Sequence, residues 1–203
     1  EYTMKIDLWF ATPVYSHIAN EQEMVEISQE IFSILEQEKQ EILTRSDAKQ
    51  RSYLQSREIS HRQVIKKYQL TATERFIHEQ ARLFLSKLCP SANAIDIRES
   101  WLNFYQPGDS QEIHNHVHAI HPSFISGSLY IEAPKDSGDI KFYHPNFNTA
   151  VVTTEQGLET FEASYTPEPF KIVLFRSHVP HSVTTNNSNK ERISLSFNIY
   201  IAE

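Results

Sequence analysis

The sequence predicts a mainly β domain of the α+β kind: a sandwich or barrel of short strands, with N-terminal helices packed on one sheet. Three observations carry this. The chain changes character near Pro90, with helical periodicity and capping signals before it and short strand-like runs separated by Pro, Gly, Asn and Asp after it. The final run alternates cleanly: Ile193, Leu195, Phe197, Ile199 and Ile201 share one face, and Arg192, Ser194, Ser196, Asn198 and Tyr200 the other. Amphipathic helices need an apolar sheet face to cover, and this strand offers one. A chain of 203 residues is long enough for one domain. Its two regions read as residues 1–94, a helical support, and residues 95–203, the β core.

In chain order, Asn20 followed by Glu23 starts the first helix, and Met24, Ile27, Ile31 and Leu35 recur along it at helical spacing, with Phe32 and Ile34 nearby. Thr71 with Glu74 is a second capping box, ahead of Phe76, Ile77, Phe84, Leu85 and Leu88; Pro90 closes that helix. Between them Thr44–Gln69 is polar and charged and reads as a long loop or irregular segment, and long loops are a common form for a functional lid. Strands are expected at Ile95–Tyr105, Gln111–His118, Ser123–Glu132, Asp139–His144, Thr160–Thr166, Phe170–Arg176 and Arg192–Ile201. The polar face of the last one points either to solvent or into a polar barrel mouth.

Composition excludes several classes. A formal charge of -7 implies no broad basic surface, so nucleic-acid binding is not expected. The single cysteine, Cys89, excludes an internal disulfide framework and a Cys-rich zinc site, and favours a reducing, cytoplasmic setting. No apolar run reaches 18 residues, so no membrane helix is expected. The start EYTMKIDLWF lacks the basic segment and long apolar core of a signal peptide, and Met4 reads as a native start. The sequon Asn186-Asn187-Ser188 reads as chance in such a setting.

The chemistry concentrates in Gln111–His121, QEIHNHVHAIH, which holds four histidines in eleven residues. His178 and His181 follow in RSHVPHSV, and Arg192 and Ser194 in ERISLSFN. Clustered histidines, a distant histidine and then an arginine form the pattern of a mononuclear metal site with an anionic co-ligand. Residues two apart on a strand point the same way, so His114 with His116, or His116 with His118, can face one ion. His181 follows the apolar strand Ile172–Phe175, where a turn returns it toward the same mouth; His178, close before Pro180, reads as a turn residue. An arginine facing a barrel interior needs an anion. Either a protein carboxylate or that of a bound co-substrate serves, the latter held with help from the Ser194 hydroxyl on the same face.

The segments WLNFYQPGDSQEIHNH, SFISGSLYIEAP, GDIKFYHP, IVLFRSHVPHSV and RISLSFN together resemble the Fe(II)/2-oxoglutarate-dependent oxygenases, prolyl-hydroxylase-like. More narrowly they resemble the members of that superfamily found in marine bacteria and their phages, whose motif order is W-x-N, Q-x-x-H-x-H, S-G-x-x-Y, L-F-x-S, H, R-x-S. The likeness covers about Ser100–Ile201, and FATPVYSHI resembles the group's opening strand. It implies a double-stranded β-helix (jelly roll, cupin-like) with iron at its open end. By match to the motif, His114, His116 and His181 would ligate iron, and Arg192 would bind the distal carboxylate of 2-oxoglutarate with Ser194 assisting. Tyr130 falls near the family's tyrosine for that carboxylate, and Asn103 and Tyr105 share a strand face with Trp101 and would line the pocket, although core packing accounts for them equally well. The resemblance further implies O2 as a substrate, with release of succinate and CO2 and hydroxylation of a substrate C–H bond. A prolyl or other amino-acid side chain, a nucleobase and a small metabolite are all open as that substrate, and so is a homodimer through jelly-roll edge strands. Thr44–Gln69 and the loop around Pro145–Asn148 are candidates for holding substrate.

One departure matters. Most of the superfamily has Asp or Glu where this chain has His116. Three neutral imidazoles leave ferrous iron at net +2 instead of +1. Extra residues between His116 and Ser126 also leave His118 and His121 open as alternative ligands. Two other readings compete. Gly108, then His114-x-His116, then Gly127 fit part of a cupin signature, although Ile120 and His121 stand where its glutamate belongs; such an enzyme would use three histidines without 2-oxoglutarate. A jelly roll can also be a binding module with no catalysis.

Overall fold

The computed structural model describes residues 11–44, 54–55, 63–92, 94–117, 123–144 and 162–201. Helix α1 (Glu21–Leu43) opens on the expected capping box: the Asn20 side chain accepts from the Glu23 amide at 3.0 Å, and the Glu23 carboxylate accepts from the Asn20 amide at 2.7 Å. Ile27, Ile31 and Ile34 are buried, Met24 and Leu35 pack at the edge, and Phe32 is exposed.

Two expectations for the helical region are corrected. Thr44–Gln69, expected to be a long loop or irregular segment, contains strand β2 (Leu54–Gln55) and helix α2 (Val64–Tyr68), which buries Val64 and Ile65. One and a half turns are too few to show a period. Helix α3 (Thr71–Leu88) does begin at Thr71, but the Thr71–Glu74 box does not form: Leu70 is the cap residue and offers no side-chain bond. Glu30 of α1 takes that role from across the packing interface. Its carboxylate accepts from the Ala72 amide at 2.8 Å, the Thr73 amide at 2.9 Å and the Thr73 hydroxyl at 2.8 Å.

The remaining strands are β1 (Val14–Ile18), β3 (Ile95–Tyr105), β4 (Gln111–His114), β5 (Ile125–Glu132), β6 (Ile140–Tyr143), β7 (Glu162–Tyr165), β8 (Lys171–Arg176), β9 (His181–Val183) and β10 (Arg192–Ile201). They form a larger sheet, β1-β8-β5-β10-β3-β2, and a smaller one, β4-β9-β6-β7, with antiparallel pairing throughout. Strands β3 to β10 divide four and four between the sheets, which is the double-stranded β-helix. β3 and β10 have the expected bounds. Gln111–His118 is shortened: β4 stops at His114, because the His116 amide turns away to bond the Ser177 carbonyl at 2.9 Å. β9 went unexpected because three residues carry no alternation.

The apolar face of β10 meets the helices. Ile193, Leu195, Phe197 and Ile199 join Ile27, Ile31, Phe76, Ile77 and Phe84 in one buried cluster, so the helices and the larger sheet share a core. Each such side chain contributes about 1.5–3 kcal/mol by leaving water. The polar face of β10 points into the barrel.

Candidate active site

Cross-strand register arranges the inner face of the larger sheet in rows. Glu99, Asn198, Ser126 and Phe175 form the row nearest the histidines; Trp101, Ser196 and Ser128 come next, then Asn103, Ser194 and Tyr130, then Tyr105 with Arg192. The smaller sheet supplies the facing wall. There the β4–β9 register sets His114 opposite His181, and the β6–β9 register sets Phe142 beside it. The cleft between the two walls is open to solvent, and its lining includes His114, His116, His181, Tyr130, Arg192 and Ser194.

One ligand-capable nitrogen from each of His114, His116 and His181 lies within 4.8 Å of the others. Their hydrogen bonds decide which nitrogen that is. His114 Nδ1 is 2.8 Å from the Glu112 carbonyl, and His181 Nδ1 is 3.0 Å from the Val179 carbonyl. A carbonyl only accepts, so both Nδ1 atoms carry hydrogen and leave Nε2 toward the cavity. His116 Nδ1 lies 2.7 Å from Asn198 Oδ1 and donates to it in the same way. Gln111 accepts from the Tyr105 hydroxyl at 2.8 Å and turns its amide toward His114 Nε2 at 3.1 Å, where that nitrogen must offer its lone pair. Burial first, then the imidazoles of His114 and His116, hold His181 well below the ordinary imidazole range, which keeps it neutral and ready to ligate.

Arg192 is 1% exposed, and no ion pair neutralises it among the described residues. One terminal nitrogen donates to the carbonyls of Ser137 at 3.1 Å and Gly138 at 2.8 Å, while the arginine Nε has no partner among the described residues. Gly138 sits at φ +92°, and a Cβ there would collide with the Thr184 carbonyl, so only glycine presents its carbonyl this way. The Arg192 guanidinium stacks over the Tyr105 ring at 4.1 Å and lies 5.9 Å from the Tyr130 ring. Burial pushes the Tyr130 hydroxyl up to about 12, against the pull of Arg192, so it remains a donor at neutral pH. Asn103 donates to Ser196 Oγ at 2.9 Å and lies 3.5 Å from Ser194 Oγ.

Thus the structure brings His114, His116, His181, Arg192, Ser194, Tyr130, Asn103 and Tyr105 around one cavity. His178 stays in an exposed turn. His118, His121 and Pro145–Asn148 lie outside the described residues, as does most of Thr44–Gln69. Sequence reasoning gave no role to Gln111, Glu99, Ser196 or Asn198. The last two were findable, because their strand face is that of Arg192. Asn186 is buried and its side-chain amide donates to the carbonyls of Tyr105 at 2.9 Å and Lys190 at 2.8 Å, which suits the reading of the sequon as chance.

What these groups can do together narrows the class. Imidazole nitrogens with a common focus suit a first-row transition metal and not magnesium or calcium. A buried arginine that lines the same cavity and has no ion pair among the described residues suits the far end of an anion that also reaches the metal. Residues 99–198 match the family described as "Putative 2OG-Fe(II) oxygenase", and this region belongs to it. The chain is therefore an oxygenase that uses Fe(II) and 2-oxoglutarate.

Solved structures show the same fold. A Pseudomonas putida prolyl-4-hydroxylase aligns with TM-score 0.62 at 16% identity, covering 95% of this chain and 94% of that one. The viral collagen prolyl hydroxylase of Paramecium bursaria Chlorella virus-1 aligns with TM-score 0.54 at 14% identity, over 94% and 96%. The non-heme alpha-ketoglutarate-dependent carbocyclase of nogalamycin biosynthesis aligns with TM-score 0.63 at 10% identity, over 93% and 79%. No curated protein matches the chain. No helix among the described residues is long and apolar enough to cross a membrane.

Proposed function

We propose that this oxygenase hydroxylates a prolyl or other amino-acid side chain and releases succinate and CO2. In this reading residues 95–203 are the catalytic core and residues 1–94 its support. His114, His116 and His181 hold the iron through Nε2. Arg192 anchors the distal carboxylate of 2-oxoglutarate, with donors from Ser194 and Tyr130, while Asn103 and Tyr105 shape the pocket wall. When bound, iron and 2-oxoglutarate together supply the activation of dioxygen that carries oxygen to a C–H bond. The chain's residues orient the groups and exclude water: Phe175 packs on His181 at 4.6 Å between ring centroids, and Trp101 on His116 at 5.7 Å.

The observation that carries the reading is the buried Arg192, which has no ion pair among the described residues and lines the same cavity as the histidines. A three-histidine cupin chemistry without 2-oxoglutarate would leave that charge without a partner. The prolyl class draws on prolyl hydroxylases among the similar structures.

Anaerobic addition of Fe(II) and then 2-oxoglutarate tests the site, with the visible band of a keto acid on ferrous iron as the sign. Succinate release stimulated by proline-containing peptides tests the substrate. Iron without the band overturns the 2-oxoglutarate role, and stimulation by nucleobases or small metabolites instead of peptides overturns the substrate class.

A further inference from the structure

We infer that Glu99 and Asn198 are positioning residues for His116 and supply, from one residue further out, the negative charge that a histidine ligand lacks. The inference rests on His116 being an iron ligand, as proposed above.

The hydrogen bonds run in one direction. His116 Nδ1 donates to Asn198 Oδ1 at 2.7 Å. The Asn198 amide has only one workable orientation, because its Nδ2 is 2.5 Å from the Glu99 carboxylate, which accepts and never donates. Ser126 Oγ lies 2.7 Å from the same Oδ1. Glu99, Asn198 and Ser126 are register partners on β3, β10 and β5, so the chain of contacts stands on paired strands rather than on loops. Trp101 and Phe175 hold the His116 ring from two sides, at 5.7 and 6.3 Å between centroids.

Glu99 is half-buried, and among the described residues no cation pairs with it. The Tyr200 hydroxyl also lies 3.5 Å from this carboxylate. An unneutralised carboxylate bonded to the amide that receives the His116 proton polarises both links. Asn198 Oδ1 becomes a stronger acceptor, and His116 Nε2 a stronger donor to a cation. An aspartate at position 116 would place its charge on the metal directly; here the charge is relayed through one amide.

The test is metal affinity, measured anaerobically with Fe(II) and with Co(II) against a chromophoric chelator, with no turnover required. Glu99→Gln, isosteric and on a partly exposed residue, is expected to weaken both metals about tenfold. The double variant Glu99→Gln with Asn198→Asp moves the charge one link inward while the new glutamine amide donates to the new carboxylate. It is expected to restore affinity to the native level or beyond, which a purely structural role for Glu99 would not produce. Native affinity in Glu99→Gln, a change confined to substrate KM, or a double variant as weak as the single would overturn the relay. A native protein that binds neither metal would instead sink the ligand assignment.

Discussion

His114 and His181 face each other across the β4–β9 pair, their ring centroids 4.2 Å apart. Two imidazoles on a rigid ladder, with Nδ1 of each tied to a carbonyl, form a pre-aimed pair that the third histidine completes. His181→Ala is expected to lose stoichiometric iron, measured by metal analysis after anaerobic loading and desalting. Iron retained at full occupancy would remove His181 from the ligand set.

Arg192→Lys keeps the charge but loses the planar fork and the idle Nε. Affinity for 2-oxoglutarate should fall by about tenfold to a hundredfold, on the order of 1.4–2.8 kcal/mol, while Fe(II) affinity stays within a few-fold of native. Titration calorimetry of both ligands separates the two effects, and an unchanged 2-oxoglutarate affinity would take Arg192 out of its role.

Acid should destabilise the metal-free protein through His181. Its native pKa lies well below the ordinary 6.5, so the unfolded chain takes up the proton first as pH falls. The stabilisation is fully present above about pH 6.5 and is lost progressively below it. Melting of the metal-free protein from pH 8 to pH 5 should show the fall, with a shallower slope in His181→Asn. Equal slopes would assign the acid loss to other groups.

Gly127 is a packing requirement. An added Cβ would come within 2.6 Å of Leu174 Cδ2 and of the Phe197 ring. Gly127→Ala is expected to cost about 1–3 kcal/mol, read as a lower denaturation midpoint, with metal affinity intact in the folded fraction.

Glu30→Ala should destabilise the protein by about 1–2 kcal/mol, as loss of a helix cap does, although Glu30 is not on the capped helix. Hydrogen exchange at the Ala72 and Thr73 amides is the local readout; unchanged protection there would deny the cap.

Much of the β core was legible because strand alternation is local. β3 and β10 were readable end to end, and the two faces of β10 separate core from cavity as their alternation indicates. Helix α1 was readable from Asn20 and Glu23, which act on each other within one turn. The cap of α3, the three-residue β9 and the short α2 were not, because each depends on partners distant in sequence.

By itself the sequence determined the capping box that opens α1, the alternating strand that carries Arg192 and Ser194, and a surplus of histidines that could serve one metal. These are periodicities and compositions, written in neighbouring residues. The tertiary structure alone decided that the polar face of β10 lines a cavity, that β4 and β9 pair in the register joining His114 to His181, and that Asn198 and Glu99 stand behind His116. Register between distant strands is set by chain closure and by packing of the whole barrel, and a single change of register would turn every side chain of a strand to the other face.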